Sequence, residues 1–456
     1  MHQDHHANFF VNSHAHAASV QALAPLRVGL LGLGTVGAGT YTVLRRNVDV
    51  ISARTGRRIE ISMVAVRNLT RAASVVSNDV ILVDDPFLIV NHPDIDVVVE
   101  VIGGTTIAKT LVLQAIANGK HVVTANKALL AEHGREIFAA AQAQDVVVAY
   151  EGAVAVSIPI IKAVREGLTA NRIEWVVGII NGTTNYILSE MKTTGASFAD
   201  ALANAQRLGY AEADPAFDVE GTDAAHKLTL LASNAFGVPI QFDRVHTEGI
   251  TQLESADIAF AERLGYCVKL LGIAKRNEHE LELRVHPTLI ATDHLLAHVH
   301  GSMNAVMVKS DAAGVTMYYG AGAGSEQTAS AVIADLVDLC RASSTKHRVP
   351  ALAFQPNAIT ALPLAAIGEV VTGHYLRLNV LNPAHTVPTL LDYLLQVDIR
   401  VKQLEILDRP GNQEWNTVLV LTEPTQARVL LGVIAKLENL PTVVGCVKTI
   451  RVETLT

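Results

Sequence analysis

The chain predicts an α/β protein in three parts: an N-terminal doubly wound parallel sheet, a middle α+β block and a C-terminal βαββαβ unit. Three observations predict this. From Leu26 to Tyr150 short apolar runs alternate with helical periodicity, which implies a parallel sheet covered on both faces. A glycine turn, Gly32-Leu33-Gly34-Thr35-Val36-Gly37, stands between the first run and the first helix. From Tyr375 onward the pattern reads strand, helix, strand, strand, helix, strand, the ferredoxin-like order.

Taken in order, the strand Leu26–Leu31 leads through the glycine turn to a helix ending at Arg46. Strands follow at Ile59–Val66, Val97–Ile102, His121–Thr124 and Val146–Tyr150. The helices between them include Thr110–Asn118, stopped by Gly119, and His133–Gln144. The gap before Ile59 is longer than such a unit needs, so an insertion is expected there. This Rossmann-type domain covers residues 25–151. Residues 320–345 complete it, where Gly320-Ala321-Gly322-Ala323-Gly324 opens the apolar helix Thr328–Leu339. Residues 152–319 form the α+β block, a substrate-binding, catalytic and dimerisation domain. Its helices fall at Ile158–Gly167, Tyr186–Lys192, Phe198–Leu208 and Asp223–Asn234, its strands at Ile173–Ile180, Glu280–Leu289 and Ala305–Ser310. Residues 346–373 are a proline-bearing connector, and 374–456 make the last unit. That unit runs through strand Tyr375–Leu381, helix Val387–Gln396, strands Val401–Leu407 and Thr417–Thr422, helix Thr425–Leu437 and strand Thr442–Val452. Residues 1–24 carry five histidines but neither the basic start nor the apolar core of a secretory signal, and are expected to form a disordered leader.

Composition excludes several classes. Half of the 456 residues are apolar and 18% are charged, a globular balance in a chain long enough for roughly two to four domains. A net charge of -8 gives no basic patch for nucleic acid. Apolar runs such as Trp175–Ile180 are too short for a membrane. Cys267, Cys340 and Cys446 show neither metal nor redox spacing, which suits a reducing, cytoplasmic compartment.

In the glycine turn, Gly32 permits the tight bend, Gly34 lets a pyrophosphate approach the backbone, and Gly37 allows close helix–strand packing. Such a turn alone could be a packing device; the strand before it and the helix after it favour a nucleotide. An NAD site would put Asp or Glu at the end of the second strand. This strand ends Val66-Arg67-Asn68, with Arg71 beyond, and a cation there suits the 2′-phosphate of NADP. A solvated surface arginine is the alternative, so NAD stays open. Thr124-Ala125-Asn126-Lys127 falls at the carboxyl edge of the sheet, where ligands bind and a lysine can stabilise charge on a carbonyl oxygen. Elsewhere it would be a surface lysine at a helix start.

The densest cluster runs from Gly209 to Lys227. Five carboxylates lie there, at Glu212, Asp214, Asp218, Glu220 and Asp223, and Asp223 shares a helical face with Lys227. The stretch reads as a solvated acidic loop with an ion pair, or as a pocket that holds an ammonium group and presents a lysine as proton donor. Gly178 to Tyr186 turns a buried strand into a helix, either as a capped turn or with Thr183 on a substrate. His294, His298 and His300 lack an acidic motif of metal-site spacing, and no ligand set is assigned to them.

Together, Gly-Leu-Gly-Thr-Val-Gly, Thr-Ala-Asn-Lys, Gly-Ile-Ile-Asn-Gly-Thr-Thr-Asn-Tyr-Ile-Leu and Gly-Tyr-Ala-Glu-Ala-Asp-Pro resemble the homoserine dehydrogenase family from Leu26 to about Leu339. The last two, in this order and spacing, are highly specific. The resemblance implies reversible NAD(P)H-dependent reduction of L-aspartate 4-semialdehyde to L-homoserine, a step towards threonine and methionine, by a homodimer or homotetramer. Motif by motif it implies Lys227 as general acid/base, Asp223 holding it, and Lys127 beside nicotinamide and substrate. Glu212 would bind the substrate ammonium, with Tyr210, Thr183 and Asp218 lining the pocket. The implied cofactor residues are Gly32, Gly34, Thr35, Val36, Gly37, Arg67, Thr105, Lys127 and Gly322. A monovalent cation, sodium, is implied on the carbonyls of Glu151, Val154, Val156 and Ile158. Here Val156 and Ser157 replace two usual glycines, and a turn needing positive φ would resist valine. The C-terminal unit resembles an ACT domain, which implies L-threonine as a feedback effector, although its first loop, Leu378 to Thr386, has no glycine where a Pro-Gly pair is usual. Two readings compete. One is an oxidoreductase for another semialdehyde, against which the block from Glu212 to Lys227 argues. The other is a catalytically silent ligand-sensing assembly, against which Lys127, Asp223 and Lys227 argue.

Overall fold

The computed structural model describes residues 23–345, 350–407 and 414–455. The expected leader lies outside them apart from Leu23 and Ala24. Six strands build the first sheet: β1 (Leu26–Leu31), β2 (Ile59–Ala65), β3 (Ile81–Val83), β4 (Val97–Glu100), β5 (His121–Thr124) and β6 (Val148–Ala149). All pair in parallel, in the order β3-β2-β1-β4-β5-β6. The direction of winding reverses beside β1, the switch point at which such sheets bind ligands. The expected doubly wound fold is present. Its strands are buried on both faces, with Leu31, Val98 and Val122 in one core and Leu30, Val64, Val97 and Val99 in the other. Helix Val48–Thr55, closed by left-handed Gly56, fills the long gap before β2. Helix Ser325–Thr345 returns to pack on helix Thr35–Arg46, where Arg46 forks onto Glu326 at 2.9 and 2.7 Å and the Ser325 hydroxyl donates to the Thr35 carbonyl at 2.6 Å.

The second sheet is larger. It comprises β7 (Ile173–Ile179), β8 (His246–Thr247), β9 (Tyr266–Arg276), β10 (Leu281–Ala291), β11 (Met303–Ser310), β12 (Gly314–Ala321), β13 (Val371–Val380), β14 (Val401–Leu407), β15 (Asn416–Thr422), β16 (Thr425–Gln426) and β17 (Val443–Val452). The order is β12-β11-β7-β9-β10-β17-β13-β15-β14, with β8 on β10 and β16 on β13. Strands β17-β13-β15-β14 are antiparallel and give the ferredoxin-like topology. One finding goes beyond the sequence: β10 and β17 pair in parallel at Thr288/Arg451 and Leu289/Val452, so the middle and C-terminal units share one continuous sheet. Strand β9 escaped sequence reading because nearly every residue is buried, Lys269 included, and no alternation marks it. Among the described residues no helix is long and apolar enough to cross a membrane.

Candidate active site

Helix Thr222–Phe236 is buried from Asp223 to its end, and it enters that position through Gly221 in the left-handed region at φ 86. A polar pair on such a helix must find partners. Lys227 Nζ donates to Asp223 Oδ2 at 2.6 Å and to the Ile180 carbonyl at 2.8 Å. Lys127 Nζ meets Asp223 Oδ1 at 3.1 Å. It stands at the first position of helix Lys127–Ala143, just past the carboxyl end of β5, where the Asn126 side chain caps the Leu129 N–H. Asn181, at the end of β7, donates from Nδ2 to Asp223 Oδ2 at 2.8 Å and to Asp218 Oδ1 at 2.7 Å. Three chain segments therefore converge on one carboxylate.

Burial by itself raises the Asp223 carboxyl, but the charges of Lys227 and then Lys127 outweigh it and hold the group well below the usual carboxylate range. Burial lowers the Lys227 ammonium; Asp223 works against that shift and the like charge of Lys127 adds to it. Desolvation and then the neighbouring Asp223 charge push Asp218 up. A buried lysine with a lowered pKa, fixed by a carboxylate and a carbonyl, is equipped to exchange a proton.

The other expected substrate residues lie nearby. The Thr183 hydroxyl donates to the Tyr210 carbonyl at 2.7 Å, and the exposed Tyr210 ring lies 4.7 Å from that of Tyr186. Glu212 is exposed, and its carboxylate meets no cation among the described residues. Sequence reasoning missed two residues. Asn181 looked like a helix cap, which it is, with Oδ1 accepting the Thr184 N–H at 2.8 Å; its bridging Nδ2 could only be seen in three dimensions. His226 packs edge-on between Phe217 and Phe242, with both ring nitrogens buried and unpaired, and Lys127 Nζ sits 5.6 Å from the Phe217 ring centre. No sequence pattern marked that wall.

The glycine turn borders a cavity of about 950 Å³ lined by Gly32, Gly34, Thr35, Arg67, Asn68, Arg71 and Ser325 among others. A Cβ at Gly37 would come within 2.1 Å of the Gly32 carbonyl, whereas one at Gly34 would meet nothing. That is the close packing and the open approach a pyrophosphate needs, at a helix start without a side-chain cap. The residues fit a dinucleotide. Arg67 and Arg71 are exposed in this cavity, and no acidic side chain ends β2. Of the other expected cofactor residues, Val36 and Gly37 sit behind the turn. Thr105 borders a separate cleft with Lys109 and His133, Lys127 is on Asp223, and Gly322 packs against Asn304.

The expected cation loop starts with the 3-10 turn Glu151–Ala153. Val156 does adopt positive φ, 47°, next to Ala155 at 53°, although valine resists that region. Among the described residues no donor meets the Val154 or Val156 carbonyl, while the Ile158 carbonyl accepts the Ile160 N–H at 2.7 Å and that of Glu151 accepts Val154 at 3.4 Å. Two of the four carbonyls are thus free for a cation. The Glu151 side chain is occupied elsewhere, accepting the Ile161 and Lys162 N–H groups, and burial pushes its pKa up to about 7.

A dinucleotide cavity at the switch point and a desolvated lysine–aspartate pair past the carboxyl end of β5 define a nicotinamide-dependent oxidoreductase acting on a CH–OH group. The family model described as homoserine dehydrogenase, NAD binding domain, matches residues 32–151, and that described as homoserine dehydrogenase matches residues 159–337. Homoserine dehydrogenase of Pseudomonas aeruginosa is 52% identical over 95% of this chain and 100% of its own length. That of Neisseria gonorrhoeae is 49% identical over the same shares. The crystal structure of a homoserine dehydrogenase from Thiobacillus denitrificans superposes with a TM-score of 0.90 at 55% identity, covering 94% of this chain and 98% of that one. The chain belongs to the homoserine dehydrogenase family.

Proposed function

We propose that the chain interconverts L-aspartate 4-semialdehyde and L-homoserine with NADP, using Lys227 as general acid and base. The observation that carries this reading is Lys227 Nζ, desolvated and held between Asp223 Oδ2 and the Ile180 carbonyl. When bound, the nicotinamide supplies or accepts the hydride. Lys227 gives its proton to the carbonyl oxygen in reduction and takes the hydroxyl proton in oxidation; burial lowers its pKa and so eases release of that proton. Asp223 fixes the ammonium in place, and Lys127 on its other oxygen adds positive charge where the oxygen becomes anionic. Glu212 receives the substrate ammonium, with Tyr210, Thr183 and Asp218 lining the pocket. Arg67, with Arg71, receives the 2′-phosphate and favours NADP over NAD. Gly32, Gly34, Thr35, Val36 and Gly37 hold the pyrophosphate, and Thr105 and Gly322, which lie outside that cavity, are the remaining cofactor contacts of this reading.

On the same reading, sodium would sit on the carbonyls of Glu151, Val154, Val156 and Ile158 and order that turn. Residues 25–151 with 320–345 bind nucleotide, 152–319 bind substrate and form the dimer or tetramer contact, 346–373 connect, and 374–456 sense L-threonine in a cytoplasmic enzyme. Initial rates with L-homoserine and either NADP or NAD, with and without L-threonine, test the whole. Absence of cofactor reduction with both nucleotides rejects the activity. Threonine that changes neither rate nor thermal midpoint rejects the sensor.

A further inference from the structure

The loop that carries Asp218 and ends at Gly221 rests on a five-residue segment, 246–250. The Val219 carbonyl accepts the Ile250 N–H at 2.8 Å. Gly249 lies so close beneath it that a Cβ there would come within 2.3 Å of the Val219 carbonyl oxygen and 2.6 Å of Glu220 Cα. Gly221, where the lysine-bearing helix begins, abuts Thr247 and Val285 with less crowding, at 3.1 and 3.2 Å from its hypothetical Cβ. The segment is itself fixed to the second sheet by β8 pairing with β10 and by the Glu248 N–H on the Val285 carbonyl at 2.7 Å. Its side-chain anchor comes from the C-terminal unit. Arg451 on β17 donates to Glu248 Oε2 at 2.8 Å, while His246 Nε2 holds Oε1 at 2.7 Å.

We infer that Arg451 and Glu248 are positioning residues for the substrate loop: the last strand of the C-terminal unit sets the floor on which Asp218 and the start of the Asp223–Lys227 helix stand. The inference rests on the substrate reading of that loop. Other ion pairs tie the same units together without a side-chain bond to residues 246–250: Glu453 with Lys275 at 2.6 Å and with Arg284 at 2.5 Å, and Arg377 with Asp257 at 2.7 Å. Removing Arg451 therefore leaves those pairs in place and takes away the side-chain anchor of the floor, whose backbone pairing with β10 remains. The path shares no residue with the glycine turn or with Arg67, so a shift of the floor separates substrate binding from nucleotide binding.

The test is steady-state kinetics on the full chain carrying Arg451→Met, Arg451→Lys or Gly249→Ala, with thermal midpoints alongside. Loss of a partly exposed ion pair is expected to raise the KM for L-homoserine about five-fold in Arg451→Met, with the KM for NADP unchanged. Arg451→Lys regains most of the loss. Gly249→Ala, which leaves both charges in place, raises the same KM by pushing on Val219. An unchanged homoserine KM in Arg451→Met, equal rises in both KM values, or a lowered thermal midpoint alone overturns the inference. If the unsubstituted protein does not oxidise homoserine, the substrate reading fails and the inference with it; if it does and Arg451→Met behaves identically, only the inference fails.

Discussion

Replacing Asp223 by asparagine keeps the shape of the site and removes its only buried negative charge between two lysines. The carboxylate accepts from Lys227 at 2.6 Å, Asn181 at 2.8 Å and Lys127 at 3.1 Å, all on a residue 3% exposed. Breaking a buried pair by removing one partner costs about 3–5 kcal/mol, because the other charge stays buried alone. Lys227 escapes part of that by releasing its proton, so a loss near 3 kcal/mol at neutral pH is expected. The pH dependence separates this account from simple misfit. Asp223 has a depressed folded pKa, so its contribution is present above its unfolded value of about 4 and disappears as the pH falls through the folded one. In Asp223→Asn, Lys227 loses the partner that raised its pKa, while its unfolded value stays at about 10.4. The unfolded chain then binds more protons than the folded one, and stability climbs as the pH rises toward that value. Urea melts at intervals from pH 3 to 10 should show a deficit that narrows below about pH 4, as Asp223 of the parent protein begins to lose its contribution, and narrows again as the pH rises toward about 10. Turnover should fall about a hundred-fold, the lower end of what a positioned proton donor contributes. A deficit constant with pH, or a variant as stable as the parent, would refute the reasoning.

Two further substitutions probe the nucleotide half. Arg67→Ala is expected to raise the KM for NADP about ten-fold and leave that for NAD unchanged, since one or more charge-assisted hydrogen bonds to the 2′-phosphate are lost. Equal effects on both cofactors in initial-rate assays would remove Arg67 from the site. Gly37→Ala drives a methyl group to 2.1 Å from the Gly32 carbonyl, so it should cost about 2 kcal/mol by denaturant melt and weaken both nucleotides alike in a titration; normal binding would show that the turn can relax.

What could be read in the sequence was local. The glycine turn, the spacing of four between Asp223 and Lys227, and the lysine after β5 each follow from short-range rules of chain geometry. The ferredoxin-like order of the last unit is equally local, because each strand and helix carries its own periodicity. What escaped reading depends on distant pairing. Nothing in Thr288 or Arg451 announces that β10 and β17 lie side by side, and that pairing decides which residues brace the substrate loop. Asn181 advertised its capping oxygen, which serves its own helix, and concealed its amide nitrogen, which serves residues about forty positions away. Val156 shows the opposite failure: local preference argued against positive φ, and the residue adopts it nonetheless.

The central claim is that Lys227 moves the proton. Lys227→Ala, assayed with L-homoserine and NADP and paired with a direct NADP titration, tests it most directly. A fall in kcat of about a hundred-fold or more with nucleotide affinity retained is expected, because Lys227 bonds Asp223 and Ile180 and borders none of the dinucleotide cavity. Turnover within a few-fold of the unsubstituted protein would contradict it.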